Sequence, residues 1–184
     1  MARFLLLYST VDGHTRAICE RVARRIEAQG HEVSQVSLDD DGAVDPVRFD
    51  RVVIGASIRY GRHRDNVLAF VRRHAETLQR LPAALFSVSL VARKPHRAGV
   101  DSNPYLKRFL AQVPWQPRAL AVFAGKLNYP LYGFWDRQVI RLIMWMTGGP
   151  TRPDAVVDYT DWHQVDAFAD RVAAASFGDE PQGD

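Results

Sequence analysis

Short apolar runs alternate along the chain with longer segments in which apolar residues recur every three or four positions. The apolar runs are typical of buried strands, and the periodic segments are typical of helices with one apolar face. The predicted strands cover residues 3–9, 31–38, 51–56, 83–91 and 118–124. The predicted helices cover residues 15–29, 65–80, 104–112 and 162–175. Nearly unbroken apolar strands separated by helices predict an α/β fold, a doubly wound five-stranded parallel sheet covered on both faces.

Residues 125–149 interrupt this alternation with several aromatic residues, a proline and a strongly apolar helix predicted over 134–146. Residues 155–159 have the pattern of a strand, which we expect to resume the position of the fifth strand. The chain is therefore predicted to form one domain over residues 1–176, with a long insertion at about 125–154 that interrupts the fifth strand. Residues 177–184 are predicted to form a flexible tail.

Three polar loops lie where a doubly wound sheet binds its ligands, beyond the carboxyl ends of the strands. They read YSTVDGHT at 8–15, SIRYG at 57–61 and LVARKPH at 90–96. The first offers hydroxyls and the amides around Gly13 at the start of a helix, an arrangement that can hold a phosphate monoester. It lacks the lysine of a triphosphate-binding P-loop and the glycines of a dinucleotide fingerprint. The same residues also fit an ordinary helix cap formed by Ser9, Thr10 or Asp12.

The other two loops favour the phosphate interpretation. Tyr60 and Gly61 place an aromatic ring and a flexible position at the end of the third strand, where a flat ligand ring can be held. Ser87 and Ser89, at the end of the fourth strand, offer hydroxyls to the polar edge of such a ring. A phosphate cradle, an aromatic side chain and polar strand ends at one edge of the sheet together predict FMN as the cofactor.

Composition excludes several other classes of function. The 184 residues carry a net charge of +3 and a pI of about 9.2 without a long basic run, so nucleic-acid binding is not expected. The single cysteine, Cys19, excludes an internal disulfide. No apolar run has the length needed to span a bilayer, and the N-terminus lacks a signal-peptide pattern. We therefore expect a cytoplasmic protein, and we predict no metal site.

Five segments carry a resemblance to a known family. They are STVDGHTR at 9–16, DRVVIGASIRYGRHR at 50–64, FSVSLVARKP at 86–95, RLIMWMTGG at 141–149 and YTDW at 159–162. From about residue 3 to residue 175 the chain resembles the flavodoxin-like, quinone-dependent protoporphyrinogen IX dehydrogenases, the protoporphyrinogen oxidases of bacteria. The resemblance implies a flavodoxin-like fold and an FMN enzyme of haem biosynthesis that oxidises protoporphyrinogen IX to protoporphyrin IX. It also implies that the electrons pass to a membrane quinone, menaquinone or ubiquinone.

The resemblance implies roles for individual residues as well. The FMN contacts that it implies are Ser9, Thr10, Val11, Asp12, Gly13, His14, Thr15, Ser57, Ile58, Arg59, Tyr60, Gly61, Ser87, Val88, Ser89, Leu90 and Val91. The cations expected to bind the substrate's propionates are Arg59, Arg62, Arg93 and Lys94. Ordinary flavodoxins usually carry a threonine where this chain has Asp12. Because a carboxylate is unfavourable beside a phosphate dianion, we expect the Asp12 side chain to point away and cap the helix. His63 is expected to be an exposed loop residue, and no catalytic base is predicted.

The helix predicted in the insertion has two interpretations. Its apolar side chains, flanked by Arg137 and Arg141, suit either a membrane surface with anionic lipid or a helix packed in a core or a dimer interface. The resemblance favours the first, so we expect peripheral association with the cytoplasmic face of the inner membrane. Two rival functions share the fold, a flavodoxin-type electron carrier and an NAD(P)H:quinone reductase. The basic pI argues against the carrier, because such flavodoxins are usually acidic.

Overall fold

The central sheet consists of five parallel strands. The computed structural model describes residues 1–40 and 44–178. In spatial order, the strands are β2 (Glu32–Ser37), β1 (Arg3–Ser9), β3 (Arg51–Arg59), β5 (Ala83–Ser89) and β6 (Ala119–Ala124). A two-residue strand, β4 (Arg62–His63), pairs antiparallel with the end of β3. The predicted doubly wound, five-stranded parallel sheet is confirmed.

Helices cover both faces of this sheet. The helices in chain order are α1 (His14–Glu27), α2 (Asp65–Arg73), α3 (Ala75–Arg80), α4 (Pro104–Leu110), α5 (Phe134–Met146) in the insertion, and α6 (Trp162–Ala173). The apolar faces of α1 and α6 pack on one side, and those of α2, α3 and α4 pack on the other. The single helix predicted over 65–80 is two helices, because His74 leaves the helical conformation with φ −111 and ψ 18.

The middle of the sheet is buried on both faces, as its unbroken apolar sequence predicts. All seven residues of β5 are buried, which is the pattern of a central parallel strand covered by helices on each side. Next to it, Gly55 of β3 lies against the ring of Phe86. A Cβ at Gly55 would stand 2.3 Å from Cζ of Phe86 and 3.0 Å from Sγ of the buried Cys19. Only glycine fits this position, because the neighbouring strand places an aromatic ring there.

The insertion is a small subdomain on the carboxyl edge of the sheet. At its base, β7 (Lys126–Asn128) pairs antiparallel with β8 (Val156–Asp158) in a separate two-stranded sheet. The prediction that residues 155–159 resume the fifth strand is therefore wrong in its pairing. Strand β6 already pairs with the edge of β5 as far as the pair Ser89↔Ala124, which leaves no place there for another strand. The returning chain therefore pairs with β7. Between the two strands, α5 packs on a cluster formed by Leu127, Tyr129, Tyr132, Ile140 and Met144.

The described chain ends in a 3-10 helix at Ala175–Gly178. Phe177 is fully buried in the core, and the guanidinium carbon of Arg51 lies 5.8 Å from the centre of its ring. Ordered structure thus extends past the boundary predicted at residue 176. The rest of the predicted tail, residues 179–184, lies outside the described residues. Over the described part of the chain, no helix has the length and apolar character needed to cross a membrane.

Candidate cofactor site at the carboxyl edge of the sheet

A cavity of about 530 Å³ opens at the carboxyl edge of the sheet, where the three polar loops meet. Its volume lies within the range of roughly 300–1,000 Å³ that is usual for small-molecule and cofactor pockets. Among the predicted site residues, those that line it are Thr10, Val11, Asp12, His14, Thr15, Ser57, Ile58, Arg59, Tyr60, Gly61, Val88, Ser89, Leu90, Val91, Arg93 and Lys94. Four others, Ser9, Gly13, Ser87 and Arg62, do not belong to the lining.

The first loop has the geometry of an anion site. Gly13 adopts a left-handed φ of 78 directly before α1, and its N–H donates to Oγ1 of Thr10 at 3.0 Å. The first amides of a helix have no partner within the helix, so those at the start of α1 are available to a bound anion. Thr15, in the first turn, is buried against the cavity. This arrangement can hold a phosphate through amides and hydroxyls without a lysine.

Asp12 does not cap the helix, which corrects the sequence prediction. Gly13 occupies the N-cap position and has no side chain to offer, so within the described chain the first amides of α1 have no side-chain cap. The Asp12 carboxylate instead accepts a hydrogen bond from Nη1 of Arg59 at 2.9 Å. Burial raises the pKa of Asp12, while the Arg59 charge opposes that rise. A guanidinium compensates the buried carboxylate better than neutral amides do, so the aspartate turns toward β3.

Ser9 supports the loop from behind. Its hydroxyl is buried and bonds to Oδ1 of Asn66 at 2.9 Å. Nη1 of Arg64 donates to the Ser9 hydroxyl at 3.2 Å, to the Thr10 carbonyl at 3.0 Å and to Asp39 at 2.7 Å. Sequence reasoning missed Arg64, although it ends the DRVVIGASIRYGRHR segment.

His14 connects the first loop to the YTDW segment. Its Nε2 lies 2.6 Å from Oγ1 of Thr160 and 3.7 Å from a carboxylate oxygen of Asp158. The Thr160 hydroxyl in turn donates to the carbonyl of Ala124 at the end of β6. Burial lowers the pKa of His14, and the Asp158 charge opposes this effect. The YTDW segment therefore contributes by holding the first loop against the insertion.

The second loop is a tight hairpin. Tyr60 and Gly61 join β3 to β4 with φ values of 49 and 77, as a two-residue turn of this hand requires. The Tyr60 side chain stays 62% exposed at the cavity, so its ring is available to a flat ligand.

Behind this hairpin, His63 is buried, and the prediction of an exposed loop histidine is wrong. Its Nε2 lies 2.9 Å from the hydroxyl of Ser87, and its ring packs 4.8 Å from that of Phe109. Burial lowers the pKa of His63 to about 4. Because Ser87 bonds to this histidine, it is held away from the cavity.

Two serines at the strand ends test whether the cavity fits a flavin. The hydroxyls of Ser57 and Ser89 are buried, and neither finds a hydrogen-bond partner among the described residues. Both side chains belong to the cavity lining, whereas Ile58, Leu90 and Val91 supply apolar surface between them. Buried polar atoms are almost always bonded, so these hydroxyls fit a ligand with a polar edge and an apolar body. The isoalloxazine of FMN has that character.

The far side of the cavity is basic and is closed by the insertion. Lys94 and Arg93 line it as predicted, and Arg97 and Lys126 join them without having been predicted. Nη2 of Arg93 donates to Oγ1 of Thr147 at 2.7 Å, which connects the third loop to the end of α5.

Two apolar faces distinguish α5 from an ordinary surface helix. One face lines the cavity with Ile140, Ile143, Met144 and Thr147. This spacing places the four residues on one side of the helix. The exposed apolar side chains of the helix include Trp135 at 78%, Trp145 at 73%, Leu142 and Met146.

Comparisons with known proteins identify the family of the chain. A family model described as a flavodoxin domain matches residues 5–154. The protoporphyrinogen IX dehydrogenase (quinone) of Escherichia coli strain K12 is 43% identical over 169 residues, which cover 92% of this chain and 93% of that protein. Its namesake from Leishmania major is 38% identical over 179 residues, 97% of this chain and 78% of that protein. The chain therefore belongs to the flavodoxin-domain family and, within it, to the quinone-dependent protoporphyrinogen IX dehydrogenases.

Proposed function

We propose that this protein oxidises protoporphyrinogen IX to protoporphyrin IX in haem biosynthesis, with FMN as its cofactor and a quinone as the electron acceptor. The observation that carries the proposal is the cavity, which joins an anion-binding loop, unbonded serine hydroxyls and a basic far side at one edge of the sheet. The substrate and acceptor are those named for the E. coli and Leishmania relatives. When bound, FMN takes electrons from the porphyrinogen and passes them to the quinone.

The chain's own residues bind and orient the cofactor. The loop from Thr10 to Thr15 holds the phosphate through its hydroxyls and the amides at the start of α1. Ser57 and Ser89 would hold the isoalloxazine through their unbonded hydroxyls, and Tyr60 would offer its ring to the flat surface. Ser9 and Ser87 do not line the cavity. Through their bonds to Asn66 and His63 they hold the first loop and the hairpin in place.

The substrate's propionates bind the basic side of the cavity. Of the four cations expected there, Arg59, Arg93 and Lys94 line the cavity, and we add Arg97 beside them. Arg59 is bonded to two carboxylates, and Arg62 lies outside the lining within 3.9 Å of Asp65. Replacing Lys94 and Arg97 by glutamine removes two charge-assisted contacts. The expected result is a KM for protoporphyrinogen raised roughly tenfold or more, with FMN binding retained. Arg80→Gln removes a cation at the opposite edge of the sheet and is the matched control.

The outer face of α5 supports the proposal of membrane association. Trp135 and Trp145 present large apolar surfaces to solvent, which suits docking on a bilayer surface. Arg137 and Arg141 are half-buried and donate to the carbonyls of Tyr132 and Thr151. Docked through this face on the cytoplasmic side of the inner membrane, the protein would lie close to the phase that holds menaquinone or ubiquinone. Trp135→Asp with Trp145→Asp should abolish sedimentation with anionic vesicles while the protein stays folded. Unchanged sedimentation of the folded double variant would refute membrane docking through α5.

Turnover tests the reaction itself. Purified protein is mixed with FMN, protoporphyrinogen IX and a soluble quinone analogue under anaerobic conditions, and porphyrin fluorescence is followed. The proposal requires fluorescence that rises only when both FMN and the quinone are present. Rapid flavin reduction by NAD(P)H without porphyrinogen turnover would instead identify an NAD(P)H:quinone reductase. Exchange of electrons with protein partners alone would identify a flavodoxin-type carrier.

A further inference from the structure

Arg59 lies between the first loop and the inserted helix and bonds to both. Its Nη1 donates to the Asp12 carboxylate at 2.9 Å, and its Nη2 donates to the carboxylate of Asp136 in the first turn of α5. The guanidinium carbon lies 5.4 Å from the ring centre of Tyr60 and 5.5 Å from that of Tyr132. With 18% of its side chain exposed, Arg59 is a bridge built into the structure.

Asp136 does not line the cavity, but it belongs to the helix that forms one of its walls. It accepts one bond from Arg59 and another from the Tyr60 hydroxyl. One helical turn further along α5 is Ile140, on the same side of the helix, which lines the cavity. Because a helix moves as a rigid unit, the position of Asp136 determines where this wall stands.

From these contacts we infer that Arg59 is a positioning residue that couples phosphate binding on the first loop to closure of α5 over the flavin. The coupling rests on the proposed FMN function. A phosphate on the loop fixes the backbone at Asp12, whose carboxylate fixes the guanidinium of Arg59. The guanidinium then fixes Asp136 and the helix that follows. Such coupling is reciprocal, so an inserted helix held in place also favours the phosphate-binding shape of the loop.

Comparing FMN with riboflavin isolates this effect, because the two share the ring and differ in the phosphate. Hydrogen exchange of the α5 amides is measured at saturation with each ligand. Direct contact between the ring and α5 protects the helix equally in both complexes. The expected result is exchange in α5 that is about fivefold or more slower with FMN than with riboflavin, the lower end of typical couplings between sites.

Two variants remove the bridge from opposite ends. Arg59→Gln breaks both bonds, and Asp136→Asn weakens the contact with α5 but leaves Arg59 bonded to Asp12. In each, the difference between FMN and riboflavin should disappear from α5. Arg152→Gln is the matched control, because it removes an exposed ion pair with Asp154 in the same insertion, and it should keep the difference. Far-ultraviolet circular dichroism establishes that each variant is folded, so that one variant suffices if the other unfolds.

Equal exchange with both ligands in the wild type would overturn the coupling, as would a difference that survives in both bridge variants. Flavin fluorescence reports binding independently of exchange. Failure of the wild type to bind FMN would refute the proposed function and the coupling with it. Normal FMN binding with equal exchange would refute the coupling alone.

Discussion

Because His63 is buried, we predict that the free energy of unfolding decreases in mild acid. Replacing this one residue should remove the decrease. The imidazole is buried between Ser87 and the ring of Phe109, and burial lowers its pKa from the ordinary 6.5 to about 4. Between these two values the unfolded chain binds a proton that the folded protein excludes. The contribution of neutral His63 to the free energy of unfolding is therefore fully present above pH 6.5. It decreases as the pH falls and levels off below about 4. The total loss is about 3 kcal/mol.

His63→Gln keeps an amide nitrogen near the position of Nε2 but cannot be protonated. Urea unfolding of both proteins, saturated with FMN, is followed from neutral pH down to about 4. The wild type should lose about 3 kcal/mol more than the variant over this interval. Other histidines whose pKa is lowered by burial, such as His14 and His74, affect both proteins and cancel in the difference. Parallel stability curves would refute the reasoning, because they would mean that folded His63 accepts a proton as easily as an exposed histidine.

Three further substitutions test the packing behind the site. Gly55→Ala should lower the free energy of unfolding by about 1–3 kcal/mol in urea titrations, because the new Cβ overlaps the Phe86 ring. Gly133→Ala is the control and should lower it far less, because a Cβ there meets no atom within 4 Å. Asn103→Ala removes the buried cap of α4 and should cost about 1–2 kcal/mol by the same measurement; an unchanged midpoint would contradict that role. Arg64→Gln loosens the first loop from behind and should weaken FMN binding roughly tenfold in a fluorescence titration, with unaltered affinity as the contrary result.

The sheet and the location of the cavity followed from local patterns. Apolar runs such as residues 3–9 and 83–89 are buried strands because covering both faces of a parallel sheet requires continuous apolar surface. Parallel strands bring their carboxyl ends to one edge, so the loops at 8–15 and 57–61 had to meet there. The loop residues pointed to FMN, and the resemblance added the substrate and the electron acceptor, because a porphyrinogen and a quinone are not readable from periodicity.

Side-chain partners that lie far apart in sequence could not be predicted in the same way. Asp12 is of a residue type that often caps helices. Its carboxylate bonds to Arg59 instead, which lies 47 residues away in the sequence but close by in the fold. Ser87 and Ser89 look equivalent in the sequence, yet Ser87 bonds to His63 while Ser89 is left for a ligand. Such choices depend on which donors surround each atom in the folded protein.

The sequence by itself determined the order of strands and helices and the edge at which a cofactor binds, since hydrophobic periodicity and parallel topology are local constraints. Only the tertiary structure decided that β8 pairs with β7 and that α5 forms a wall of the cavity. It also decided that Arg59 joins the first loop to the insertion. The physical reason is that a buried charge or a free strand edge takes whichever partner the fold brings within bonding distance, and that distance is a property of the whole chain.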